Sequence, residues 1–430
     1  MPLSPGRRHA PPRGPRRLLA LLAVPILLAA QLLVAAAASA QALPKGAYWY
    51  QLLDLPKAWH TNEGAGVTVA VIDQGVQADL GDLQGQVLPG LDLTGRDPRG
   101  QRDDAEPDTG GFGHGSDMAA LIAGTGRGAG LIGVAPEAKI LPVDASTNGT
   151  YDIADVARGI SWAADHGAEV INLSLGRHGS CPTVLAQAIR HAYDRDVIVV
   201  AAAGEPAGPV SAPANCPGAL AISAVDSAIK PWTKTASGPE VAFAAPGYGL
   251  VNELLTNKLY GPDPLNSGTS QAAAIASGTF ALLRAEFPSE SARQIVTRAL
   301  YNTHNGLGEK YFGTRADDYL GYGMILPRYA LTDPLPANAR NPIYDQWAKD
   351  FARSGSVAPA TPSSSAPSSS APPAGSGSAS QSPTVTASAD GGGGLSPVLI
   401  AVLVVVVLGA VAIAILRVRR RGAIPPGYGR

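Results

Sequence analysis

The sequence predicts an α/β fold, a mainly parallel sheet covered by helices on both faces, with one C-terminal transmembrane helix beyond it. Three observations predict it. Between residues 67 and 304, short apolar runs alternate with segments of helical spacing. The runs are apolar throughout rather than at every second position, as in strands buried on both faces. A final uncharged apolar run occupies 395–416, and at 1.5 Å per residue it is about 30 Å long, the thickness of a bilayer core.

Taken in chain order, the elements follow from local chemistry. Arg7, Arg8, Arg13, Arg16 and Arg17 precede an apolar stretch at 18–38, and small residues at Ala38 and Ala40 close it. This is the pattern of a secretory signal over 1–40, read either as cleaved after Ala40 or as kept as an uncleaved anchor. A lead occupies 41–66. Strands are expected at 67–73 (VTVAVID), 138–145 (AKILPVDA), 168–176 (AEVINLSLG), 197–204 (VIVVAAAG) and 219–226 (ALAISAVD). Helices are expected at 153–167, where apolar residues recur at helical spacing before the Gly167 stop, and at 183–196, 270–288 and 290–304. The folded domain is placed at 67–335, with an extension to 353.

Residues 354–394 are Ser, Ala, Pro and Gly with almost no large apolar side chain. Such a segment cannot offset its ordering entropy by burial, so it reads as a flexible stalk or a cell-wall spacer. After the apolar run, four arginines lie within residues 417–421. The positive-inside rule puts the 417–430 tail in the cytoplasm and the domain outside, on a single-pass membrane anchor.

Composition narrows the partners. Of the 33 basic residues, five lie in the signal and five in the tail, leaving 23 against 34 acids, a formal charge of −11. That balance argues against a nucleic-acid partner. The two cysteines, Cys181 and Cys216, read as one disulfide in an exported protein. Closing that loop stabilises by roughly 3–4 kcal/mol in the chain-entropy model.

Three segments carry chemistry. Asp73 ends the strand VAVID; His114 sits between glycines in GGFGHGSDMAALIAG; Ser270 starts a helix in NSGTSQAAAIASG. Singly they read as a strand-end cap, a loop histidine and an N-cap. Together they supply a nucleophilic hydroxyl, a base and a carboxylate to hold the base, with helix N–H groups facing a developing negative charge. In sheets of this type ligands sit beyond the carboxyl ends of the strands, where Asp73, the loop after Gly176 and Glu205 all fall.

These segments resemble the subtilisin-like serine proteases. VTVAVIDQGV is similar to their aspartate strand, with Gln74 where Thr or Ser is usual. GHGSDMAALIAG is similar to their histidine helix, with Ser116 for Thr and Asp117 for the common His or small residue. GVAPEAKILPVDA, INLSLG and GTSQAAAIASG complete the match, with Gln271 for Met and Ala274 for Pro. The resemblance implies a subtilisin-like three-layer fold and an endopeptidase. Its nucleophile is Ser270, its general base His114, and Asp73 orients the histidine. Substrate main chain pairs with Leu173, Ser174, Leu175 and Gly176, and Ala201, Ala202, Ala203 and Gly204 form the pocket wall. Signal, short lead, stalk and anchor together resemble the mycosins, which implies protein or peptide substrates and a type VII secretion complex in the membrane as partner.

Glu205 stands where the family has an asparagine that donates to the oxyanion. Three readings follow: a protonated acid that donates, as the aspartate of the related sedolisins does; a side chain swung out to water in a weak enzyme; or a non-catalytic scaffold of a secretion complex. No cofactor is expected. The acidic, glycine-rich stretch 95–111 reads as a solvated loop near the histidine, with structural calcium as the alternative.

Overall fold

The computed structural model describes residues 47–103, 113–147, 149–304 and 314–355. The segments read as signal, transmembrane helix and tail, and most of the one read as stalk, lie outside them, as do residues 104–111 of the acidic loop. Among the described residues no helix is long and apolar enough to cross a membrane.

The described part of the lead packs on the domain. Two short helices, α1 (Trp49–Leu52) and α2 (Leu55–Ala58), bury Trp49, Tyr50 and Leu55 completely. Such side chains contribute roughly 1.5–3 kcal/mol each when buried. Polar atoms fix the register. The Tyr50 hydroxyl accepts from Ile132 N–H at 3.0 Å and donates to the Ile132 carbonyl, and Trp59 Nε1 donates to the Val134 carbonyl at 2.9 Å.

The chain then builds the sheet. In order come β1 (Thr68–Asp73), β2 (Leu91–Asp92), α3 (His114–Ala123) and β3 (Lys139–Asp144). A small hairpin follows, β4 (Ser146–Thr147) with β5 (Thr150–Tyr151), and then α4 (Ile153–Asp165) and β6 (Val170–Leu173). Next are α5 (Thr183–Asp194), β7 (Ile198–Ala202), β8 (Ala219–Val225) and β9 (Val241–Pro246). A second hairpin, β10 (Asn252–Leu254) with β11 (Lys258–Tyr260), precedes the long α6 (Thr269–Glu286). Helices α7 (Ala292–Leu300), α8 (Pro327–Thr332) and α9 (Pro342–Gly355) complete the described chain.

The main sheet has seven strands in the order β2-β3-β1-β6-β7-β8-β9, and every pairing between neighbours is parallel. The five expected strands are all present; β2 and β9 are additional. Side chains alternate between two cores. Val69 and Val71 of β1 face the core that holds α3 and α6, while Ala70 and Ile72 face the one that holds α4 and α5. The α4–sheet contact is close because position 159 is glycine: a Cβ there would lie 2.9 Å from Val143 Cγ1.

The chain passes from β1 to β3 on one side and later returns to β6 on the other. Strand order therefore reverses at β1, which leaves a crevice at its carboxyl end. Asp73 is the last residue of β1. Helix α6 runs behind the crevice and is buried along most of its length, which its run of alanines permits.

Candidate active site

The sheet topology brings the three chemical segments to one cleft of about 380 Å³, lined by residues that include Gln74, His114, Tyr151, Glu205, Thr269 and Ser270. Asp73 comes from the end of β1, His114 is the first residue of α3, and Ser270 is the second residue of α6. His114 Nδ1 lies 2.9 Å from each Asp73 carboxylate oxygen. Asp73 is fully buried, and its Oδ1 also accepts from the Gln74 N–H at 2.9 Å and from the Tyr151 hydroxyl at 3.2 Å. These donors leave the carboxylate one orientation, with an edge presented to the histidine.

Ser270 is held by Ser174. Its hydroxyl donates to the Ser174 carbonyl at 3.1 Å, while the Ser174 hydroxyl donates to the Ser270 carbonyl at 2.8 Å. Asn172 Nδ2 donates to Ser174 Oγ at 2.9 Å, and Ser277 donates to Asn172 Oδ1 at 3.0 Å. A buried polar chain thus pins the start of α6 to the end of β6. A nucleophilic role for Ser270 needs a hydrogen bond from its hydroxyl to His114 Nε2, which this arrangement does not make. Such bonds often tighten only when substrate is bound.

Electrostatics favour the imidazolium. Burial pulls the His114 pKa down, but the Asp73 charge and hydrogen bond, with Asp117 and Asp103 behind, outweigh it and push the value up to about 9. The side chain is still 36% exposed, so water screens part of this effect.

Residues 64–323 match the subtilase family, peptidase S8. The chain belongs to the subtilase family. It is 33% identical to thermitase of Thermoactinomyces vulgaris over 278 residues, 63% of this chain and 94% of that one. It is 31% identical to mycosin-3 of Mycobacterium tuberculosis over 352 residues, 66% of this chain and 72% of that one. The solved structure of the MycP3 protease from the type VII (ESX-3) secretion system superposes with a TM-score of 0.56 at 30% identity, covering 68% of this chain and 89% of that one. This subtilase is therefore of mycosin type.

Within the subtilase frame, the residues expected to meet substrate divide. Ser174, Leu175, Gly176, Ala202 and Gly204 line the cleft. The side chains of Leu173, Ala201 and Ala203 lie in the α4–α5 core on the other face. The two-residue alternation of a strand turns the Ala201 and Ala203 side chains away from the pocket, while the main chain at Leu173 stays at the end of β6. The Cys181–Cys216 disulfide is formed, with Cα atoms 5.1 Å apart, and ties the loop after β6 to the loop before β8.

The placement of Glu205 is close to the reading in which its side chain swings out to water. Its side chain is exposed, yet Oε2 accepts from the Thr269 hydroxyl at 2.6 Å and from the Thr269 N–H at 3.2 Å. Gly268, the N-cap of α6, offers no side chain, so this carboxylate from a distant loop caps α6. Thr269 Oγ1 in turn accepts from Gly204 N–H at 3.1 Å. In this arrangement Glu205 accepts hydrogen bonds and donates none.

Two acidic residues beside the histidine have no role assigned from the sequence, although Asp117 stands out there as a departure from the family pattern. Asp103, from the loop expected to be solvated, faces inward. Its Oδ2 accepts from Ser116 N–H at 2.7 Å and Ser116 Oγ at 2.6 Å, and its Oδ1 accepts from Gln74 Nε2 at 2.8 Å. Burial raises its pKa to about 6; these hydrogen bonds oppose the rise and the Asp73 charge adds to it. Asp97, the other described acid of that loop, accepts from the Gln101 N–H, and Asp92, at the end of β2, accepts from the N–H groups of Thr94, Gly95 and Asp97. Among the described residues, no three His, Cys, Asp or Glu side chains are grouped to hold a metal ion.

Asp117, on α3, is buried and its pKa is raised well above the usual carboxylate range, by burial first. Asn252 Nδ2 on β10 donates to Asp117 Oδ2 at 3.1 Å, while Asp117 Oδ1 and Asn252 Oδ1 are buried with no hydrogen-bond partner. A protonated Asp117 donating to Asn252 Oδ1 satisfies both orphan atoms as a reciprocal acid–amide pair. The folded state then binds a proton that the unfolded chain releases above about pH 4, so this acid's contribution falls as pH rises above that value. Asp117→Asn keeps a partner for the amide and removes the titration. Its stability relative to the parent should be higher at pH 8 than at pH 5, by up to about 1.4 kcal/mol per pH unit. Asn252→Asp, which sets two carboxyls face to face, should destabilise by about 1–3 kcal/mol. Thermal unfolding across that pH range checks both.

Proposed function

We propose that this chain is an exported, membrane-anchored endopeptidase of mycosin type that hydrolyses peptide bonds in protein substrates through a Ser270 acyl-enzyme. His114 takes the Ser270 proton and returns it to the leaving amine, while Asp73 holds the imidazole with its Nδ1 protonated. The observation that carries this reading is the pair of 2.9 Å contacts between His114 Nδ1 and Asp73 in the cleft that Ser270 lines. The first-turn N–H groups of α6, with that helix's dipole, face the developing oxyanion. The 395–416 segment anchors the protein, and the likeness to MycP3 supports a place beside a type VII secretion system.

A second reading has its own observation. Because Glu205 accepts from Thr269, it supplies no oxyanion donor, and turnover is correspondingly slow or absent. In the limit, the domain is a tethered scaffold.

Fluorophosphonate labelling of the full chain in solubilised membranes separates the two, with Ser270→Ala as blank. The base works only when neutral. With a raised His114 pKa, labelling should climb from pH 6 toward about 9 and be absent in the blank. No labelling of the parent at any pH, with labelling gained in Glu205→Asn, establishes the scaffold reading instead.

A further inference from the structure

We propose that Asp103 is a positioning residue of the catalytic pair, whose carboxylate joins the strand end carrying Asp73 to the helix start carrying His114. This inference rests on the roles proposed for Asp73 and His114. Three pieces of chain meet at this carboxylate. Gln74, next to Asp73, donates to Oδ1, and Ser116, two residues after His114, donates to Oδ2 from both backbone and hydroxyl. Ser116 Oγ also accepts from Gln77 N–H at 2.8 Å, so the helix is tied to the turn after β1 a second time. The loop that carries Asp103 is itself laced to that turn: Val76 N–H reaches the Gly100 carbonyl and Ala78 N–H the Gln101 carbonyl, both at 3.1 Å.

The glycines of the motif mark the same junction. Added Cβ atoms would fall 2.5 Å from Asp103 Oδ2 at Gly113 and 2.0 Å from the Gly75 carbonyl oxygen at Gly115. At Gly75, which also has φ +85°, one would fall 1.9 Å from the Arg102 carbonyl oxygen. The glycines on both sides of His114 admit the loop and the strand end to within hydrogen-bond range. Gly113, the N-cap of α3, has no side chain, and Asp103 caps the helix in its place, as Glu205 caps α6. Gln74 and Ser116, two of this chain's departures from the family pattern, thus have one common partner.

Asp103 touches none of the reacting atoms. It acts through Gln74 and the helix on the distance between Asp73 and His114, and through its charge on the imidazole. The groups that share its field are Asp73, His114, Asp117 and Tyr151.

The test compares Asp103→Ala and Asp103→Asn with the parent, in the full chain, by three readouts: kcat and KM on a chromogenic peptide, the pH profile, and the NMR titration of the His114 ring. Asp103→Ala should lower kcat by about 10²-fold with KM little changed, because small misplacements of reacting groups have effects of that size. It should also move the His114 titration to lower pH. Asp103→Asn, which retains an acceptor for Ser116 while Gln74 can turn its amide oxygen inward, should recover most of kcat and still show the lowered His114 titration. An Asp103→Ala protein that is folded by its thermal transition, yet keeps parental kcat and an unmoved His114 titration, overturns the proposal. If the parent never labels at Ser270, the reading beneath fails by itself, and the His114 titration of the two variants still decides the role of Asp103.

Discussion

Asp73→Asn is expected to lower kcat about 10⁴-fold with little change in KM or in the fold. The reason lies in how the carboxylate is held. Oδ1 accepts from the Gln74 N–H and the Tyr151 hydroxyl, while for Oδ2 the partner is His114 alone. An asparagine will keep its oxygen where those two donors are and turn its NH₂ group toward His114 Nδ1. The ring nitrogen must then accept, which places the imidazole proton on Nε2, the atom that has to take the proton of Ser270. The base is present and blocked. The same change removes the largest upward influence on the imidazole, so the His114 titration should fall from about 9 toward its ordinary value. Because activity requires the neutral ring, the rising limb of kcat/KM should shift to lower pH even as its plateau collapses. A pH series from 6 to 10 reads both effects. A variant that keeps more than a tenth of parental kcat would mean that Asp73 is not the group that sets the tautomer.

How far such a site can be read without coordinates depends on whether its contacts lie along the chain or across it. Asp73, His114 and Ser270 were legible because each sits in a local pattern: an acid ending an apolar strand, a histidine between glycines, a serine at the start of an alanine-rich helix. The sheet was legible for the same reason, since its central strands are apolar runs. Strand β2 is only Leu91–Asp92, too short to show a period, and β9 reads VAFAAP, ending in a proline that suggests a loop. Asp103 was misread because an acidic, glycine-rich stretch has the composition of a solvated loop, and composition does not reveal that Ser116 and Gln74 wait for its carboxylate. Tyr151 lies in a two-residue strand with no motif. Glu205 was noticed as an anomaly, but its partner Thr269 is 64 residues away and only the fold brings them together.

Glu205→Asn is expected to raise kcat by about 10²–10³, the usual worth of one oxyanion donor. The parent lacks that donor and sets an exposed carboxylate beside the developing charge. Structural constraint explains why the substitution should be tolerated. Glu205 caps α6 through Thr269, and asparagine ranks with the best capping residues, so its oxygen can keep the Thr269 N–H while its NH₂ group faces the cleft. Loss of the Thr269 hydroxyl contact should cost no more than about 1–2 kcal/mol of stability, visible as a modest fall in melting temperature. Two further variants separate charge from donation. Glu205→Gln adds a donor at the original length, and Glu205→Ala removes charge and cap without adding one. Donation predicts the order Asn above Gln above Ala in acylation rate by stopped-flow fluorophosphonate labelling. Simple relief of repulsion predicts three similar gains. If none of the three gains rate, the oxyanion is already served by the α6 N-terminus. Glu205 would then be what its hydrogen bonds make it, a cap that holds the nucleophile helix in register with Gly204 and the substrate cleft.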